Sequence, residues 1–126
     1  MSQFFDGHND LLLRLWQAND HTGAMFRESD GSGHMDLARM QKVGMTGGFF
    51  AIFVPGDETS DETGDETGNG DGNILSTADV SEPYAMQSCL EMIAIFDALQ
   101  DVITPVRSRD DLAFRGKDTI HGLLNI

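Results

Sequence analysis

Two side chains near the start of this 126-residue chain have the types and spacing to work together: His8 and Asp10, in the run Phe4-Phe5-Asp6-Gly7-His8-Asn9-Asp10. The run reads as a short apolar strand ending in a His-x-Asp pair. In an extended chain successive side chains alternate sides, so His8 and Asp10 point one way and Asn9 the other. An imidazole and a carboxylate one pleat apart can share a metal ion, and both are ordinary zinc ligands. The structural alternative is that His8 pads the strand end while Asp10 starts the following helix. A His-x-Asp triplet alone does not choose between the two.

Other reactive side chains carry less. His21 falls in a stretch rich in Gly, Ser, Asp and His and reads as an exposed loop residue. His34 has no partner at metal-ligand spacing and reads as structural. The single cysteine, Cys89, excludes an internal disulfide and a cysteine-based zinc cluster, and its place in an apolar helical pattern fits a buried thiol. Gly47-Gly48 is not a phosphate loop, since no Gly-x-Gly-x-x-Gly or Gly-Lys-Ser/Thr pattern follows. No separate catalytic acid, base or nucleophile is marked.

The formal net charge is −13, from 21 acidic and 8 basic residues, and it repels nucleic acid and anionic membranes. Seven of the acids, between Asp57 and Asp71, account for more than half of that excess. The N-terminus has no basic region followed by an apolar run, and no stretch reaches the roughly 18 to 20 apolar residues of a membrane span. The expected setting is reducing, soluble and cytoplasmic.

The elements that must position His8 and Asp10 follow from the pattern. Leu11 to Trp16 make an apolar cluster that fits a helical turn leaving the strand, and residues 19–33 read as a surface loop. Asp36 caps a compact helix carrying Leu37, Met40 and Val43, with Lys42 near its negative end and Gly44 in the left-handed position beyond it. Residues 47–54 are apolar on both faces, as in a strand covered on both sides of a parallel sheet. Pro55-Gly56 ends the run.

Residues 57–73 are acidic and low in complexity, with Asp-Glu-Thr-Ser/Gly repeated from Asp57, Asp61 and Asp65, and read as a solvated loop insertion. Calcium is the sharper alternative there, but the segment lacks the bidentate glutamate and flanking helices of an EF-hand. A helix is predicted from Asp79 or Ser81 to about Gln100, with Met86, Cys89, Leu90, Ile93 and Phe96 on one face. Val102 to Val106 is a short extended piece, Ser108 to Asp111 resembles a capping box, and Thr119 to Ile126 reads as a third strand. Apolar strands alternating with helices imply βαβ units and a parallel sheet. Three strands cannot close a barrel, so either another chain completes the fold or the polypeptide continues past Ile126.

Several segments together resemble the membrane dipeptidase (renal dipeptidase) family, a branch of the metal-dependent amidohydrolase-type (β/α)8 barrels. They are Asp6-Gly7-His8-Asn9-Asp10-Leu11, then Gly33-His34-Met35-Asp36-Leu37 with Arg39-Met40, then Gly47 to Pro55, and Phe114-Arg115-Gly116-Lys117 before the last strand. Order and spacing agree over nearly the whole chain, apart from the acidic insertion. The resemblance implies an α/β fold, the N-terminal part of a TIM barrel with about three βα units, over residues 1–126. It implies that His8 and Asp10 bind one zinc of a two-zinc centre whose other ligands belong to later strands. Asp6, Asn9 or backbone groups would hold them, and the sequence leaves open which.

The activity implied is zinc-dependent hydrolysis of dipeptides. These residues alone are expected to be inactive, since they supply at most two ligands. The partner expected is the dipeptide substrate, with no nucleic acid and no membrane; a homo-oligomer stays open. Two other readings stand beside this one. One is a different metal-dependent amidohydrolase, because the His-x-Asp strand is widely shared. The other is a non-catalytic binding protein on a partial barrel, with the acidic loop as its contact surface.

Overall fold

Among the described residues four strands build the sheet: β1 (Phe4–Asn9), β2 (Met45–Ala51), β3 (Ile103–Pro105) and β4 (Ile120–Asn125). The computed structural model describes residues 2–56, 80–113 and 118–126. The acidic stretch 57–73, with the calcium reading attached to it, and Phe114 to Lys117 lie outside the described residues. All strand pairings are parallel, and the order across the sheet is β1-β2-β4-β3. Helices α1 (Leu11–Gln17), α2 (Ala24–Glu28) and α3 (Leu37–Lys42) lie between β1 and β2 in the chain, and α4 (Glu82–Ala98) lies between β2 and β3. The alternation of apolar strands and helices thus gives the mixed α/β fold with the parallel sheet it predicts.

Three strands are expected from the sequence, and the structure adds β3. The short extended piece at Val102 to Val106 joins the sheet because Ile103 is fully buried and Val106 N–H donates to the Gly122 carbonyl at 2.8 Å. Pro105 is tolerated because β3 is an edge strand. A close approach explains Gly47 and Gly48: a Cβ on Gly47 would run into the His121 carbonyl of β4.

The core lies on one face of the sheet. Phe50 of β2 is buried with Leu12 and Leu15 of α1, Ile95 and Phe96 of α4, and Ile103 and Ile120. The rings of Phe50 and Phe96 are tilted against each other with centroids 5.7 Å apart. Phe49, one residue before Phe50, is 38% exposed and meets Phe5 edge to face at 5.8 Å. Within the described residues β2 is therefore fully covered on the Phe50 face, while on the other face Gly47 and Ala51 are buried and Phe49 is exposed.

Two helices differ from expectation. On α4 the buried residues are Ser88, Met92, Ile95 and Phe96, whereas Met86 and Leu90 are 58% and 56% exposed. Cys89 and Ile93 sit at the margin of the core. Apolar residues run round most of this helix, so period alone does not choose a face. The second difference is α2, inside the stretch expected to be a loop. Asp20 accepts from the N–H groups of Ala24 at 3.1 Å and Met25 at 2.8 Å, and Phe26 is fully buried. Burial pushes the Asp20 carboxyl up, but the bonds from Met25 and Ala24 outweigh it and leave the group below the usual carboxylate range.

α3 follows its signals. Asp36 is extended at the N-cap and accepts from Arg39 N–H at 2.8 Å, and Gly44 beyond the helix has φ 76°. No helix among the described residues is long and apolar enough to cross a membrane.

Candidate metal centre

β1 is an edge strand, and its C-terminal end delivers His8 and Asp10. His8 lies one residue before the last residue of the strand, and Asp10 follows that residue at the N-cap of α1. Their side chains converge as the alternation predicts, with His8 Nε2 3.2 Å from Asp10 Oδ1. Both are open to solvent, with 58% and 55% of their side-chain surface exposed. Asp10 starts the helix by position, yet its carboxylate makes no capping bond. It is turned to His8 instead.

The geometry tests the fit of a metal. Tetrahedral bonds of about 2.0–2.1 Å to a nitrogen and an oxygen ligand set those two atoms about 3.3 Å apart. The observed 3.2 Å matches that edge, so an ion could bridge the two atoms without moving either side chain far. An imidazole nitrogen with a carboxylate oxygen is a donor set suited to zinc and its neighbours. Among the described residues no group of three or more His, Cys, Asp or Glu side chains could hold a metal together. The pair fits as part of a site.

A cavity of about 600 Å³ opens beside the pair, lined by Asp6, His8, Asp10, Arg14 and His34 among others. His34, which reads as structural in the sequence, is exposed and lines this cavity with His8 and Asp10. No local spacing announces that meeting, because it is made by a tertiary tether. Arg14 of α1 donates to Ser32 Oγ at 2.5 Å and to the Met35 carbonyl at 3.3 Å, and pairs with Asp30 at 3.4 Å. Bonds from the Ser32 hydroxyl and N–H hold the Asp30 carboxyl below the usual carboxylate range, with Arg14 adding to the effect. His21 stays outside the cavity, exposed and 2.7 Å from Asn19 Oδ1, as a loop histidine should.

His121 was not singled out by any spacing. It is buried on β4, and its Nδ1 has no hydrogen-bond partner among the described residues. It does not line the cavity at His8.

Comparison with known proteins is consistent across sequence and structure. The description of the membrane dipeptidases, peptidase family M19, matches residues 1–120. A stretch of 53 residues, 40% of this chain, is 51% identical to an uncharacterized protein from the PQQ-III 3′ region of Acinetobacter calcoaceticus and covers 16% of it. A metallopeptidase from Rhodobacter sphaeroides, solved with a phosphinate mimic of the dipeptide L-Ala-D-Ala, superposes over 97% of this chain with a TM-score of 0.66 and 26% identity. The dipeptidase AC, a metallopeptidase of family M19, superposes over 97% with a TM-score of 0.58 and 26% identity. The chain spans 37% and 34% of those two solved chains.

Proposed function

The chain belongs to the membrane dipeptidase family, peptidase family M19, and from that premise we propose that His8 and Asp10 form part of a zinc centre that hydrolyses dipeptides. The parallel sheet in this reading is part of a (β/α)8 barrel, where active sites gather at the C-terminal ends of the strands. The observation that carries it is the convergence of His8 Nε2 and Asp10 Oδ1 to 3.2 Å at such a strand end. A metal held there would supply Lewis acidity, lowering the pKa of a bound water and polarising the scissile carbonyl.

The chain's own contribution is placement. An imidazole nitrogen from His8 and a carboxylate oxygen from Asp10 would together leave a bound divalent ion with residual positive charge to act on substrate. Their exposure leaves room on the solvent side for a water and a carbonyl oxygen, beside a cavity of about 600 Å³. The resemblance of the sequence to the family implies a second zinc, for which further ligands are needed. Residues 1–126 alone are therefore inactive in this reading, and the partner is a dipeptide. The setting proposed is cytoplasmic.

Zinc content of the complete barrel that this reading requires tests the assignment. There His8→Ala and Asp10→Ala should each lose most of the zinc that the unaltered protein retains after dialysis. Unchanged stoichiometry in both variants would overturn it. Zinc-dependent cleavage of a dipeptide by residues 1–126 alone would refute the inactivity of this segment.

A further inference from the structure

We propose that Asp6 and Asn9 are the positioning residues of the His8–Asp10 pair, brought together for that role by a bulge in β1. The proposal rests on the metal-binding reading of His8 and Asp10. Asp6 is registered against Gly48 of β2, and Asn9 against Phe50, so three steps along β1 match two along β2. In an unbroken strand, residues three apart face opposite sides of the sheet. The extra residue turns Asp6 and Asn9 to the same side, as bulges near active sites re-aim side chains.

Once on one side, the two bind each other and the backbone around the ligands. Asn9 Nδ2 donates to Asp6 Oδ2 at 3.1 Å. Asp6 Oδ1 accepts the backbone N–H of His8 at 3.4 Å, and Asn9 Oδ1 accepts the N–H of Leu11 at 3.4 Å. The backbone is thus held at His8 itself and at the residue after Asp10. Both backbone bonds are long, so the side-chain bond between Asp6 and Asn9 is the anchor and the others are restraints. Asn9 is only 8% exposed, while the ligands on either side of it stand in solvent. It fixes the short segment from the inside and relieves Asp10 of a capping duty at the first turn of α1.

Gly48 completes the device. A Cβ there would lie 3.0 Å from Asp6 Cβ and 3.2 Å from Asn9 Nδ2. A side chain on this neighbouring strand would press on both members of the pair without touching either ligand. Groups bonded directly to ligand side chains typically change metal affinity by about 10- to 100-fold when removed, and Asp6 and Asn9, which act through the backbone, belong at the lower end of that range.

The test is the zinc affinity of the complete barrel, measured by competition with a chelator, beside its urea midpoint. Asn9→Ala, Asp6→Ala and Gly48→Ala should each weaken zinc binding by about 10-fold or more with His8 and Asp10 intact. Asp6→Asn, which keeps an acceptor oxygen, should recover most of the loss seen in Asp6→Ala. Leu99→Val, a core change remote from β1, should lower the urea midpoint and leave zinc affinity unchanged. If Gly48→Ala does not fold, Asn9→Ala and the two Asp6 variants decide the matter by themselves. Zinc affinity at the unaltered level in Asn9→Ala and Asp6→Ala, with His8→Ala defective, would overturn the positioning role alone. Unaltered affinity in His8→Ala would instead remove the metal reading on which it rests.

Discussion

Trp16 is the one tryptophan of the chain, and its indole N–H donates to Glu91 Oε2 at 2.6 Å, tying α1 to α4. Gln87 donates to the other oxygen, Oε1, at 2.9 Å. The Gln87 bond first, and the Trp16 bond second, hold the Glu91 carboxyl below the usual glutamate range. A carboxyl with a depressed pKa in the folded state stabilises the fold above its unfolded pKa, roughly 4.3 for glutamate. That contribution is lost as pH falls through the folded value. Trp16 fluorescence should therefore stay constant on acidification until below the ordinary glutamate range and then shift as the indole loses its charged acceptor. Glu91→Gln should abolish the shift, because it keeps an oxygen for Trp16 but cannot titrate. An unchanged acid transition in that variant would place its origin elsewhere.

α3 shows how one residue governs an element. Asp36, 1% exposed, accepts from Arg39 N–H at 2.8 Å and from Ser29 Oγ at 2.8 Å, and its carboxylate also meets the Arg39 guanidinium. Arg39 in turn donates to the carbonyls of Gly33 at 2.9 Å and Ser32 at 3.1 Å, beside His34. Asp36→Ala should lower stability by about 1–3 kcal/mol, since it removes a cap and leaves the part-buried Ser29 and Arg39 donors without their acceptor. Asp36→Asn should lose less, because an amide oxygen still caps. Urea denaturation of both variants checks the order, and equal losses would show that the cap contributes nothing. This helix was legible in the sequence because cap, apolar period and terminal glycine lie within nine residues of one another. α2 was not legible. Its five residues are too few to show a period, and Arg27 is held by Asp101, at 2.5 and 2.7 Å, from far along the chain.

At the scale of the molecule, the parallel α/β sheet was legible because apolar runs alternate with helices. The place of β3 at the far edge was not, since it depends on Ile103 packing beside Gly122 and Phe96. The site divides in the same way. The meeting of His8 and Asp10 follows from their spacing in the sequence, whereas His34 reaches their cavity through bonds that Arg14 makes across the fold. The two sheet faces give the sharpest check of the architecture, because consecutive residues of β2 sample both. Phe50 is fully buried in the helix-covered core, so Phe50→Ala should cost about 3–5 kcal/mol. Phe49 keeps 38% of its surface exposed and has an edge contact with Phe5, so Phe49→Ala should cost only about 1 kcal/mol. Both changes delete the same atoms from the same strand, so β propensity nearly cancels and the difference reports burial. Equal urea midpoints for the two variants would mean that the core does not lie on the Phe50 face, and the packing of α1 and α4 against the sheet would have to be redrawn.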